Sequence, residues 1–563
     1  MAASRARVFL IILFLLVVAL IVAGQLARRI PDKTVLQLSL SGPVAEEDWP
    51  SFEARFWEGD VTVFRHLLEA LDRASRDDRI AGVSLEVNSV GMSVGKAQEL
   101  RAKLAEFTGR GKFCTAYLEY GTNLSYYLAS ACPEVYLTPT SGLAVKALMG
   151  HTTFLRGSLD KLRIYPDFLR IGEYKNAPNV LTEKKFTATH REQVTSLLTT
   201  WQEQLVAGIA ESRKLEPARV EELIRTGPFL AEEAVENHLV DKLLYPDQYR
   251  DLLKQKTGRK EPETISVASY LDRTRPLGGP TIALVHATGD IVPGESGYHP
   301  GSGRFMGADT IAAALREARE DSSVKAIVLR VDSPGGVQVA SEIIRREVAL
   351  AREKKPVVVS MSDVAASGGY YIAMSANKIV ADPGTVTGSI GIFAGKLNVK
   401  GFYELLGMSK DYVALAPNAT IFYPFENFTP AQRELLMKFL RDGYDAFLRG
   451  VAEGRKMSVE EADRLGRGRV WLGVEAKENG LVDELGGLER AVALAKDLAG
   501  IPADRSVTYK IYPREKTTWE QLEEWLQIRS RALPPARAWL DPAGSPLWRE
   551  PVLLRMPFRI EPE

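Results

Sequence analysis

Cysteine is nearly absent from this 563-residue chain: Cys114 and Cys132 are the only two, and they lack the spacing of a metal site or of a disulfide framework. Both read as buried free thiols, because the positions matching them in a second copy described below are the small apolar residues Val358 and Ala376. Net charge is absent too. Lys+Arg and Asp+Glu each total 72, so no overall field draws the chain to nucleic acid, and no extended basic run points to nucleic-acid binding. Histidine is sparse, and none of the six lies in a recognisable triad motif, although triad partners can be remote in sequence. No phosphate-binding glycine loop occurs, which gives no ground for ATP dependence. What remains is the composition of an ordinary folded protein, 45% hydrophobic and 26% charged, and a length that calls for two or three globular units.

There is one long apolar run. Val8–Gly24 comprises 17 uncharged residues, preceded by Arg5 and Arg7 and followed by Arg28 and Arg29. It is long enough for a short membrane-spanning helix, and the Arg pair behind it suits an uncleaved anchor in the lipid bilayer. A cleavable signal is the rival, kept open by Ala19, Ala23 and Gly24. Basic residues on both flanks leave the orientation undecided by charge alone.

The rest of the chain says the same thing twice. Gly121–Ala131 returns within Ala365–Ala376, and Val87–Met92 returns as Val331–Gly336, both beginning 244 positions on; Leu239-Val240-Asp241 returns as Leu481-Val482-Asp483. Each copy opens with an alternating strand, Val35–Leu40 or Thr281–Val285. The first then shows apolar strands at Gly82–Val87 and Lys112–Leu118 around a helix at Gly95–Phe107. The second shows Ala326–Val331 and Pro356–Met361 around a helix at Gln338–Arg352. Longer helical stretches, Thr189–Lys214 and Pro430–Lys456, close the copies. Val/Ile/Leu-rich strands alternating with helices predict βαβ units on buried parallel sheets, an α/β fold in tandem duplicate behind an N-terminal transmembrane helix. The boundaries that follow are 1–29 for the anchor, 30–270 for the first repeat, 271–511 for the second and 512–563 for a Pro-rich tail. That tail has one amphipathic stretch at Trp519–Leu526. The stretch Gln255–Pro280 reads as a connector with little apolar periodicity.

Two turns in the second copy have the makings of a nucleophilic centre. Ser367 stands between an apolar strand and a helix start, followed by Gly368 and Gly369, which let a substrate approach the backbone. Taken alone, Ser-Gly-Gly is as well read as a plain helix cap. Asp332-Ser333-Pro334-Gly335-Gly336 follows the neighbouring strand, where free N–H groups can hold a developing oxyanion, although the same residues also make an ordinary β-turn. Loops at the carboxyl ends of adjacent parallel strands are where such sheets bind ligands. A serine also needs a base. Lys175 by itself reads as a solvated surface lysine, and it serves as a base only if burial or a cation keeps it neutral. In the overlay of the copies Ser367 faces Asn123, while Lys175 faces Pro417.

Ala365–Tyr371, Asp332–Gly336 and Thr387-Gly388-Ser389-Ile390-Gly391 resemble the linked motifs of the signal peptide peptidase A (protease IV) family. Its members are membrane-anchored bacterial serine peptidases on the fold shared by the Clp protease and the crotonases. The resemblance spans roughly residues 30 to 500, including the duplication of the long form. It implies Ser367 as nucleophile, Lys175 as general base, and Ser389 as the residue orienting the lysine amine. It implies an oxyanion hole from Gly368 and the Gly335–Gly336 turn, with no metal or cofactor. It further implies cleaved signal peptides as substrates, with apolar or small side chains near the scissile bond. A homotetramer is implied as well, with the anchor in the inner membrane and the body outside the cytoplasm. Half-length members carry both catalytic residues in one unit. Here Asn123 and Pro417 leave each copy with one, so neither copy works alone. Three rivals remain at this point: a crotonase-type acyl-CoA enzyme, a catalytically silent membrane scaffold, and a hydrolase with a histidine base.

Overall fold

The structure, a computed structural model, describes residues 29–48, 55, 59, 61–274, 278–299, 303–514 and 553–555. The expected anchor Val8–Gly24 and the expected helix Trp519–Leu526 lie outside the described residues. Among those described, no helix is long and apolar enough to cross a membrane.

The duplication in the sequence is a duplication of sheets. The first copy contributes β1 (Thr34–Ala45), β2 (Ile80–Gly91), β3 (Phe113–Leu118), β4 (Glu134–Leu137), β5 (Tyr165–Ile171), β6 (Lys242–Leu243) and β7 (Thr264–Ser266). All but β5 form a parallel sheet in the order β6-β4-β3-β2-β1-β7. The second copy contributes β8 (Thr281–Thr288), β9 (Val324–Ser333), β10 (Gly335–Val337), β11 (Val357–Ala366), β12 (Lys378–Ala381), β13 (Val386–Gly388), β14 (Ile392–Asn398), β15 (Val470–Leu472), β16 (Glu484–Leu485) and β17 (Thr508–Tyr512). Its parallel ladder runs β16-β12-β11-β9-β8-β17, the same order again. The helices that matter for the site are α1 (Val94–Gly109), α2 (Asn123–Ala129), α3 (Ala188–Arg213), α4 (Gln338–Arg352), α5 (Gly368–Ala373) and α6 (Pro430–Arg455).

These strands form because their apolar runs are buried on both faces, as parallel sheets between helices require. In β9, Ile327, Val328 and Leu329 are all fully buried. Alternate residues then point to opposite sides of the sheet. Val328, with Ile282, Leu284, Ala326 and Val358, joins the apolar cluster that holds Leu100 and Leu104 of α1. Ile327 and Leu329 join the other cluster, with Ile344 and Val348 of α4. The two copies therefore share a core, which fixes one against the other.

A second link is more local. β5 leaves its own copy and pairs antiparallel with β14, from Tyr165 opposite Asn398 to Ile171 opposite Ile392. The tail also returns: β18 (Leu553–Arg555) runs antiparallel to β10, with Gly335 opposite Arg555 and Val337 opposite Leu553.

Two expectations need correction. The stretch read as a connector holds β7 and a helix, Val267–Arg273, because Ile265 and Tyr270 are buried against the first sheet. Cys114 and Cys132 are not free thiols but a disulfide. β3 and the end of α2 bring their Cα atoms to 5.0 Å, within bridging range, a proximity that the 18-residue separation does not disclose.

Candidate active site

Ser367 sits at the turn from β11 into α5 with φ 55° and ψ −112°, a backbone conformation costly for any residue with a side chain. Two backbone bonds hold it there: Ser367 N–H donates to the Gly388 carbonyl and Tyr371 N–H donates to the Ser367 carbonyl, each at 2.8 Å. The glycines behind it are needed for space. A Cβ on Gly368 would stand 2.7 Å from Ser341 Oγ and 3.0 Å from Gly336 N, and one on Gly369 would stand 2.6 Å from the Ser333 carbonyl oxygen. The Ser367 turn and the Asp332–Gly336 turn are thus packed against each other. Within the latter, Gly335 N–H donates to Ser333 Oγ at 3.1 Å.

Lys175 comes to this place from the first copy. The β5–β14 pairing brings Ile171 opposite Ile392, three residues after Ser389, and Gly172 turns the chain there with φ 95°. Tyr174 N–H then donates to the Arg467 carbonyl at 3.0 Å. Gly468, φ 80°, lies so close that a Cβ there would stand 2.4 Å from Lys175 N. Lys175 is fully buried rather than solvated. Its Nζ lies 2.8 Å from Ser367 Oγ, 2.9 Å from the Ser389 carbonyl oxygen and 3.0 Å from Ser389 Oγ.

Burial pushes the Lys175 pKa well below the ordinary 10.5, because no water remains to solvate the ammonium. A neutral amine has two N–H bonds and one lone pair. Ser389 can accept both hydrogens, through its carbonyl and its hydroxyl, which turns the lone pair to the Ser367 hydroxyl. Ser389 is itself pinned at φ 52° with its N–H on the Arg469 carbonyl at 2.7 Å. Every residue expected at the centre is therefore gathered there: Ser367, Lys175, Ser389, Gly368, Gly335 and Gly336.

The histidines lie elsewhere in the fold. His190 is wedged edge-on against Phe154 and Phe186, and burial lowers its pKa to about 4. His286 is on β8 opposite Arg330, and burial lowers it to about 3. What the sequence reading missed is the Arg467–Gly468 turn that presses on Lys175. Its signal was the Gly-Arg-Gly-Arg run at 466–469. Gly468→Ala is expected to displace Lys175 and lower kcat/KM about 100-fold at unchanged secondary structure, as misplacement of a catalytic group by about 1 Å does; steady-state kinetics with circular dichroism check it.

Beside the site, a cavity of about 540 Å³ opens where β10 ends, lined by Val337, Tyr371, Met374 and Gly450, with Glu342 and Arg345 on its wall.

Comparison with known proteins gives the family. The model described as Peptidase family S49 matches residues 107–260 and again residues 349–502. The chain is 32% identical over 502 residues to the protein named serine protease SPPA, chloroplastic, of Arabidopsis thaliana, covering 87% of this chain and 73% of that one. It is 35% identical over 447 residues to Protease 4 of Salmonella typhi, covering 77% and 71%. Among solved structures, a ClpP1 mutant from Listeria monocytogenes matches over 37% of this chain and 94% of its own, at 17% identity and a TM-score of 0.24. An acyl-CoA enzyme and a silent scaffold are set aside by these matches: the chain belongs to peptidase family S49, in two copies of the family domain, and is a serine peptidase.

Proposed function

We propose that this peptidase is a membrane-anchored endopeptidase that degrades cleaved signal peptides with a Ser367–Lys175 dyad. The observation that carries the reading is the buried 2.8 Å contact between Lys175 Nζ and Ser367 Oγ. Neutral Lys175 takes the Ser367 proton as Oγ attacks the scissile carbonyl carbon. The N–H groups of Gly368 and of the Gly335–Gly336 turn, that of Gly335 exchanging Ser333 Oγ for the substrate, stabilise the resulting oxyanion. Lys175 returns the proton to the departing amine as the C–N bond breaks, which leaves an acyl ester on Ser367. Water then gives a proton to Lys175 and attacks the ester, and that proton goes back to Ser367 Oγ as the acid leaves. Ser389 keeps the Lys175 nitrogen aimed at Ser367 throughout.

The apolar walls of the neighbouring cavity, Val337 and Met374, suit an apolar side chain next to the scissile bond. Val8–Gly24 would keep the body near membrane-retained peptides, with the anchor in the bacterial inner membrane and the body outside the cytoplasm. A homo-oligomer, a tetramer by family resemblance, fits the surface of the second copy. Its counterpart of β5, around residues 409–415, forms no strand, and Val413 and Leu415 there are 93% and 98% exposed. A second molecule would cover them.

The test is digestion by the full chain in proteoliposomes. Synthetic signal peptide should be cut into fragments by the native protein and left whole by Ser367→Ala, while a folded soluble protein survives both. Equal digestion of the folded protein would remove the proposed substrate class.

A further inference from the structure

The strand pair that carries the two catalytic turns is incomplete at the point where they begin. Between β9 and β11 the register runs in step to Val331 opposite Met361, then jumps to Ser333 opposite Ala365. Asp332 therefore stands against Ser362, Asp363 and Val364, where the regular ladder is interrupted before it resumes beside the two turns.

Side chains do the work the ladder does not. Asp332 Oδ1 accepts the Val364 N–H at 3.2 Å, and Val364 is three residues before the nucleophile. On the other side of the break, Asp363 accepts from the first copy, taking the N–H of Ser93 at 3.1 Å and of Lys96 at 2.8 Å at the start of α1. Lys96 Nζ joins the two carboxylates, 2.5 Å from Asp332 Oδ2 and 2.9 Å from Asp363 Oδ2, with Glu46 at 3.5 Å. Lys96 is 2% exposed, so these contacts are little screened by water. Burial would discharge it, but Asp332, Asp363 and Glu46 outweigh burial and hold it protonated.

The turn that follows Asp332 is held by two hydrogen bonds and one close approach. Ser333 Oγ donates to the Gly289 carbonyl at 2.7 Å, Gly335 N–H donates to Ser333 Oγ, and Gly336 touches Gly368. The overlay of the copies shows that this arrangement is one-sided. The position matching Asp332 in the copy without the nucleophile is Asn88, and the position matching Lys96 is Ala340. The pair is present only where there is an oxyanion turn to hold.

We propose that Lys96 is a positioning residue for catalysis: clamped between Asp332 and Asp363, it sets the oxyanion turn of the second copy at the right height against Ser367 and Gly368. The first copy thus supplies the support of the oxyanion hole as well as the base. This rests on the serine-peptidase reading of Ser367, and the test separates the two.

The variants are Lys96→Met, Asp332→Ala and their double, in the full chain, assayed on a peptide substrate from pH 6 to 10. Each single variant should lower plateau kcat about 100-fold, the size of losing one oxyanion donor. KM should stay within about twofold and the acid limb set by Lys175 should not move, since neither the cavity nor the base is touched. The double should lose less than the product of the two single losses, because the two side chains share one contact. Removing Lys96 leaves buried carboxylates without their cation, which endangers folding. Asp332→Ala leaves Lys96 paired with Asp363 and Glu46 and carries the test if Lys96→Met does not fold. A folded Asp332→Ala protein with kcat within threefold of native overturns the proposal, and so does a loss confined to KM or a shifted acid limb. Full activity in Ser367→Ala would instead overturn the reading beneath it.

Discussion

Lys175→Ala is expected to lower kcat/KM by about 10⁴-fold, the upper range for removal of a general base, while the protein stays folded. The size follows from burial. Lys175 is the group against Ser367 Oγ, and Ser389 takes up its remaining hydrogen-bonding capacity, so water has no ready place from which to substitute. The pH dependence has a definite sign. The proposed base must be a neutral amine, and burial holds the Lys175 pKa well below 10.5. Native kcat/KM should therefore rise with pH through that lowered value and level off above it, and it is lost as pH falls. The residual activity of Lys175→Ala should show no such limb. Stability carries the same signature: between the folded value and 10.5 the unfolded chain binds a proton that the folded chain does not, so this group makes the fold more stable as pH rises across that window. An acid limb that survives in Lys175→Ala would place the base elsewhere.

Ser367→Ala should be more severe, about 10⁶-fold in kcat, because no acyl-enzyme can form. The double variant with Lys175→Ala should lose no more than Ser367→Ala alone, since the two residues act in one step. Co-expression of Lys175→Ala chains with Ser367→Ala chains should yield no recovery, even in mixed oligomers verified by two affinity tags. In the proposed dyad both residues come from one chain, joined through β5 and β14 and through the shared core. Recovery above a few per cent of native activity would mean that the site is completed across subunits.

Strong periodicity was readable. The helix expected at Gln338–Arg352 is α4 to the residue, and Pro430–Lys456 differs from α6 only in its cap. Strand extents came out short, because β9 and β11 continue past their apolar runs into the polar residues Asp332 and Asp363. The gap in each copy, Asn123 in one and Pro417 in the other, was legible because duplication supplies its own comparison. The burial of Lys175 was not. It depends on β5, whose Pro166, Asp167 and Arg170 hide it as a strand; it becomes one because Asp167 is buried with Arg433 beside it and its carboxylate accepts the Phe428 N–H. The Lys96 clamp was equally hidden, since a lysine in the first turn of a helix looks solvated until the second copy is packed against it. The disulfide belongs to the same class: two positions made neighbours by tertiary structure alone.

The central claim is that one copy supplies the nucleophile and the other its base, and covalent labelling measures this most directly. A fluorophosphonate reports attack by the serine without a leaving amine or a deacylation step. Its second-order rate should be measured from pH 6 to 10 on native protein and on Lys175→Ala, with the labelled peptide identified by mass spectrometry. The expected result is a single label on Ser367, a native rate rising through one titration well below 10.5, and a Lys175→Ala rate at least about 10³-fold lower with no titration in that window. Native-rate labelling of Lys175→Ala, or a label on another serine, would contradict it.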